Sequence, residues 1–313
     1  MPIVLSHASA FRFWRRFAGD TRMLRRVRRP KAMEEPLNLT PSLAEELAVL
    51  GFTFPEDERL HLLFATPALR SRVAHVASHV FADALPEGSL VRLSERVLVA
   101  SPELAFAQMA ESFTFERETM AGMELCGTYA IMPDNSLRER APLANAEGLA
   151  SFAASLMGPR SKAVRATRYV LDGAASPMEA KLALLLCLPT TRGGYGLPLP
   201  ELNARIDLGE DSRKLYDAAF CRADLFWREA GLDVEYDGRA SHDGDAHTVD
   251  VAREQALEAR GISVTRLTFA QIESPEAFDV VAKTLGRRLG KGTRVRSRDF
   301  EENRLFLRGE LEL

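Results

Sequence analysis

Two acidic residues stand inside apolar runs, where acids are uncommon. Asp224 lies in C-R-A-D-L-F-W, residues 221–227, and Glu235 in G-L-D-V-E-Y-D-G, residues 231–238. Asp237 follows Glu235 by two places. If the runs are adjacent strands, their carboxylates come together and repel. Such a group calls for a hard divalent cation, Mg²⁺ or Mn²⁺. Each acid also has a plain reading. Asp224 can pair with Arg222 or Arg228, and Glu235 can sit in a salt bridge. Asp237-Gly238 is a good turn dipeptide. Asp250 and Arg253, three apart, can pair on a helix surface. Ser176-Pro177-Met178-Glu179 has the spacing of a capping box, which would fold Glu179 back onto the helix start.

The elements that must hold these residues can be read in order. Pro177–Leu188 is a strongly apolar helix. Residues 190–200, T-T-R-G-G-Y-G-L-P-L-P, cannot be regular structure. Strand-like runs follow at Ala204–Leu208, Ala219–Trp227 and Leu232–Tyr236. A loop rich in Gly, His and Asp leads to a helix over His247–Arg260, which Gly261 ends. Ile262–Leu267 reads as a strand and Pro275–Leu289 as a closing helix. His242, Asp243, Asp245 and His247 match no zinc spacing. Gly193-Gly194-Tyr195-Gly196 lacks the strand and lysine of a phosphate-binding loop, and is expected to shape a turn, one able to approach DNA.

This order resembles the PD-(D/E)XK nuclease superfamily, and within it the branch of very-short-patch-repair-like endonucleases. The matching residues are Glu179, Asp224, Glu235-Tyr236-Asp237-Gly238, His242, Asp250, Arg253 and Gly261, over residues 170–290. The resemblance implies a metal-dependent DNA endonuclease. Asp224, Glu235 and Glu179 would be metal ligands, and Asp237 and His242 would complete the catalytic set. Many members carry a lysine two places after the glutamate, where this chain has Asp237. Lys181 and Arg253 are the candidate stand-ins. The alternative is a nuclease fold without activity, serving as a DNA-binding regulator or antitoxin-like protein.

The N-terminal half carries a different signal. Nine basic residues between Arg12 and Lys31 face Asp20 alone. Arg22, Arg25, Arg26, Arg28 and Arg29 form a block suited to phosphate, and DNA is the expected partner. Helices are expected over Ser6–Phe17, capped by Ser6, and over Pro41–Leu50, with Thr40 as cap. Short runs at Leu60–Ala65, His75–His79, Leu90–Leu93 and Val97–Val99 read as a small sheet, in which His75 and His79 are ordinary members. Further helices are expected over Ser101–Ala110, Arg117–Tyr129, Ala146–Leu156 and Lys162–Val170, with a polar loop at Pro133–Pro142. The opening S-H-A-S-A-F-R-F-W and S-P-E-L-A-F-A-Q-M-A resemble the C-terminal domain of AbiEi-like antitoxins, which implies a DNA- or partner-contacting role.

The fold class expected is α/β. A restriction-endonuclease-like α-β-β-β-α-β core at 174–290 follows a smaller α+β domain at 1–145, with a helical linker at 146–173 and a tail at 291–313. Three scattered cysteines suggest a reducing compartment and no disulfide framework. No run approaches the length of a membrane span, and residues 1–7 lack signal-peptide character. A cytoplasmic protein is expected.

Overall fold

The computed structural model describes residues 2–27, 33, 36–52, 59–238, 244–292 and 298–313, without the side chains of 244–248. The chain divides into two compact units, Met1–Val170 and Leu171–Leu313. The helices expected as a linker, 146–173, therefore lie almost wholly within the first unit.

Unit 1 is built on a six-stranded sheet. Its strands are β1 (Ile3–Leu5), β2 (Arg25–Val27), β3 (Leu60–Phe64), β4 (Val76–Val80), β5 (Leu90–Arg92) and β6 (Val97–Ala100), in the order β2-β5-β6-β1-β3-β4. The central strand β1 is buried throughout and runs parallel to β6 and antiparallel to β3. Helix α1 (His7–Arg16) follows directly. Ser6 precedes it without a side-chain cap, which corrects the capping expectation. Buried Trp14 fixes the helix by donating its indole N–H to Ala100 O at 2.7 Å. Strand β2 pairs with β5, so Arg25 and Arg26 belong to the sheet and not to a free arm.

Helices α2 (Pro41–Val49), α3 (Pro102–Met109) and α4 (Phe115–Cys126) each start at a hydroxyl cap, Thr40, Ser101 and Thr114 in turn. The expected polar loop at 133–142 contains a strand, β8 (Leu137–Glu139), paired with β7 (Tyr129–Ile131). α5 (Ala146–Met157) and α6 (Lys162–Ala166) complete the unit.

Unit 2 opens with α7 (Pro177–Cys187), buried almost continuously from Glu179 to Cys187. An apolar surface on all sides places a helix inside a core. A four-stranded sheet follows: β9 (Glu201–Asp207), β10 (Phe220–Trp227), β11 (Leu232–Asp237) and β12 (Ser263–Thr268), in sequence order. β9, β10 and β11 are antiparallel neighbours, whereas β11 and β12 are parallel. Parallel neighbours require a crossover, which α9 (Gly244–Glu258) supplies. Ala256 and Leu257 of α9 meet Ala204, Ile206, Cys221, Ala223 and Phe226 of the sheet.

Three elements of unit 2 were not anticipated. α8 (Glu210–Leu215) sits between β9 and β10, and α10 (Phe269–Glu273) precedes α11 (Pro275–Arg288). The expected tail contains α12 (Phe300–Glu310), whose Phe300, Arg304, Leu307 and Arg308 are buried. Arg308 donates to the terminal carbonyls of α10, Ile272 O at 2.7 Å and Glu273 O at 3.2 Å. A cation suits that helix end.

Candidate functional site

Glu179 sits at the third position of α7. Its backbone N–H donates to Ser176 Oγ at 3.2 Å, and the Ser176 hydroxyl donates to Glu179 Oε1 at 2.9 Å. Glu179 Oε2 accepts the Ala175 N–H at 2.8 Å and the Asn203 amide at 2.6 Å. The carboxylate thus folds back onto the helix start, as the spacing suggested. Its return bond goes to the residue before the cap.

Asp224 lies on β10 between the pairs Ala223–Ala204 and Leu225–Leu202. Level with it on β9 is Asn203, whose φ of 48° is left-handed. The register Leu225–Val234 and Phe226–Asp233, carried one step on, sets Asp224 level with Glu235. Asp224 Oδ2 accepts the Tyr236 N–H at 3.0 Å. Burial, and then the neighbouring Glu179, raise this carboxyl to about 7; the Tyr236 N–H pulls it back, and Glu235 adds to the rise.

Glu235 is buried on β11. Its Oε1 lies 2.5 Å from Arg253 Nη2 of α9, and its Oε2 lies 3.9 Å from Arg266 Nε of β12. Arg253 also donates to Arg222 O. Arg266 lies near Asp250 at 3.7 Å and Glu254 at 3.4 Å. Asp250 and Arg253 therefore face other partners than each other. Lys181, the second candidate stand-in for the family lysine, reaches Glu312 O at 3.4 Å. Arg253 is the stand-in that meets an acid of the set.

A fourth acid joins them. Asp233 is fully buried, and burial followed by Glu235 raises its carboxyl to about 9. The sequence held a signal for it: Asp233, Glu235 and Asp237 share one parity on a strand whose other positions are Leu232, Val234 and Tyr236. Asn203 and Arg266 were also missed. Both reach the acids only through strand pairing. Asp237 is exposed at the end of β11. His242, Arg28 and Arg29 lie outside the described residues.

The donors are carboxylate oxygens, the kind a hard cation takes. Their arrangement does not amount to a coordination shell. Among the described residues no group of three or more His, Cys, Asp or Glu side chains is placed to hold a metal ion. Both oxygens of Glu179 already accept hydrogen bonds, and Glu235 is held by Arg253. No chemical step is therefore assigned to a metal here.

In unit 1, Arg22 forms a bidentate pair with Asp20 at 2.8–3.0 Å. Arg26 pairs with Glu103 at 2.8 Å. Both cations already have acidic neighbours, unlike the open block expected. Cys126, Cys187 and Cys221 are buried and outside any disulfide. No helix among the described residues is long and apolar enough to cross a membrane. Comparison with family models, curated proteins and solved structures finds no match for the chain.

Proposed function

We propose that unit 2 is a DNA endonuclease of the very-short-patch-repair-like type; its dependence on a divalent metal follows from the resemblance, since the acids as placed form no coordination shell among the described residues. The observation that carries this reading is the convergence of Glu179, Asp224 and Glu235 from α7, β10 and β11, with the Asp224 carboxyl raised to about 7 by burial first and then by Glu179 and Glu235. A group that exchanges its proton near neutrality suits general acid–base work on a phosphodiester. Arg253, held against Glu235, supplies a cation beside the acids, the role a lysine fills in many members of the resembled superfamily. Guanidinium suits a phosphate oxygen as well as it suits a carboxylate.

A second reading has its own support. Glu179 serves as a helix cap, and the Glu235–Arg253 pair leaves the site internally neutralised. Both favour a DNA-binding regulator on the same fold. Cleavage of plasmid and mismatched duplex DNA with Mg²⁺ or Mn²⁺ separates the two. The endonuclease reading expects nicking that needs metal and falls about a hundredfold or more in Asp224→Ala and Glu235→Ala. DNA retarded in a gel yet never cut would establish the regulator. Neither cleavage nor binding would remove both.

A further inference from the structure

Unit 1 contains a cavity of about 510 Å³ that the reading of unit 2 does not use. One wall is a single face of α1. Phe11, Arg12, Arg15 and Arg16 recur at the three- and four-residue spacing that brings helical side chains together. Arg59 and His61, at the entry to β3, form the second wall. Phe113 and the β7–β8 turn at Asn135 form the third. Arg15 is engaged by Glu124 at 2.9 Å. The guanidinium of Arg12 is held below its usual range by burial first and by the neighbouring Arg16 second. His61 is pressed the same way by burial, His79, Arg12 and Arg59, down to about 4. Its ring is fixed by a 2.9 Å hydrogen bond between its Nδ1 and His79 Nε2.

Cations crowded around a concave, partly apolar space select an anion. The aromatic wall narrows the class. Phe11 and Phe113 pack edge to face with ring centroids 5.7 Å apart, and both are only half-buried. Partly open aromatic rings beside guanidinium groups offer a base a stacking surface and a phosphate its counter-charge. The Asn135 amide adds a donor and an acceptor able to read a base edge. The volume falls within the range of about 300–1,000 Å³ typical of small-ligand sites.

We propose that this cavity binds a nucleoside phosphate, with Arg12, Arg16 and Arg59 holding the phosphate and Phe11 and Phe113 stacking the base. The shared chemistry has two sources, a free nucleotide or the phosphorylated end of a single strand. Calorimetric titration of the full-length protein in EDTA tests it, since chelation keeps cleavage elsewhere from intervening. The probes are adenosine 5′-monophosphate, adenosine, inorganic phosphate, and a short single strand with and without a 5′-phosphate.

The nucleotide is expected to bind at least tenfold tighter than adenosine or phosphate. Arg16→Ala and Arg59→Ala, both exposed positions, are each expected to weaken it about tenfold or more without changing the thermal midpoint. Phe113→Leu is expected to weaken the nucleotide and leave inorganic phosphate unchanged. Preference for the 5′-phosphorylated strand over the free nucleotide would assign the site to strand ends, and the reverse to a soluble nucleotide. Absence of binding by every nucleoside phosphate would overturn the proposal. So would nucleotide binding unaffected by both arginine variants, or inorganic phosphate binding as tightly as the nucleotide.

Discussion

Asp233 shows how much one buried acid can shape a protein's response to pH. Its carboxyl is raised from 3.8 to about 9. The folded state then holds a proton that the unfolded chain gives up above about pH 4. Its contribution to stability is complete below that pH and is lost as pH rises towards 9. Asp233→Asn keeps the size of the side chain and removes the titration. It is expected to stabilise the protein by about 1–3 kcal/mol at pH 8 and by little at pH 4, as read from denaturant unfolding at both values. An unchanged pH slope would show that Asp233 is not protonated in the fold. Glu118 follows the same logic in unit 1. It is fully buried, and burial raises it to about 8 against the opposing pull of Lys162.

At this scale the sequence was partly legible. Asp224 and Glu235 stood out because carboxylates interrupt apolar runs. Asp233 is the less conspicuous acid because it lies near the start of its strand, next to Gly231-Leu232, although its parity matches that of Glu235. Asn203 could not be read, since its part depends on a left-handed backbone and on Glu179 arriving from another element.

Elements bring together residues that local reading keeps apart. His7 is the first residue of α1, His61 lies on β3 and His79 on β4. The His7 and His79 rings stack at 3.4 Å, and His61 bonds to His79. Read singly, His79 is an ordinary strand residue; β3–β4 pairing makes it the centre of a cluster. Burial, then His79 and His61, lower His7 to about 3, while His61 stands at about 4. Both are depressed, so their contribution to stability is present above about pH 6.5 and is lost as pH falls through 4 and 3. Proton NMR of the imidazole C–H signals is expected to give midpoints near these values. Midpoints near 6.5 would mean rings open to water.

Two further positions test element packing. Ser176→Ala removes the cap of α7 and is expected to cost about 1 kcal/mol. A Cβ on Gly193 would stand 2.2 Å from Asn303 O of α12, at a φ of 83°. Gly193→Ala is expected to destabilise unit 2 by about 3 kcal/mol or more and to expose α12 to hydrogen exchange. Exchange unchanged along Phe300–Glu310 would show that α12 does not depend on that contact. The glycine-rich run was legible as a turn. That it makes room for a helix a hundred residues later was not, because α12 had been read as a tail. Its burial rests on four residues spaced over three turns, Phe300, Arg304, Leu307 and Arg308, and two of those are charged.

Across the whole molecule, charge is divided unevenly. Residues 1–170 hold 21 basic and 19 acidic side chains, whereas 171–313 hold 20 and 25. A net charge of -3 therefore combines a slightly basic unit with an acidic one. On the DNA-binding proposal, contacts to phosphate release counterions, and affinity is expected to fall about tenfold or more between 50 and 200 mM salt, measured by gel retardation. A flat response would argue against backbone contacts.

Large-scale organisation was legible where it rests on periodicity and caps. The main helix–strand order of 177–289, apart from the short helices α8 and α10, and the caps at Thr40, Ser101 and Ser176 follow from local rules. Four strands of the six-stranded sheet were readable as a small sheet; its centre was not, because β1 is a three-residue strand too short to announce itself. Ile3–Leu5 takes its parallel partner from Val97–Val99. During synthesis at roughly 5–20 residues per second, several seconds separate the two. For that interval an apolar strand waits with one edge unmade, and the sheet cannot close until it is threaded between β3 and β6. Closure of unit 1 waits on its least conspicuous segment, and a change at buried Val4 is expected to slow that closure as well as to lower final stability.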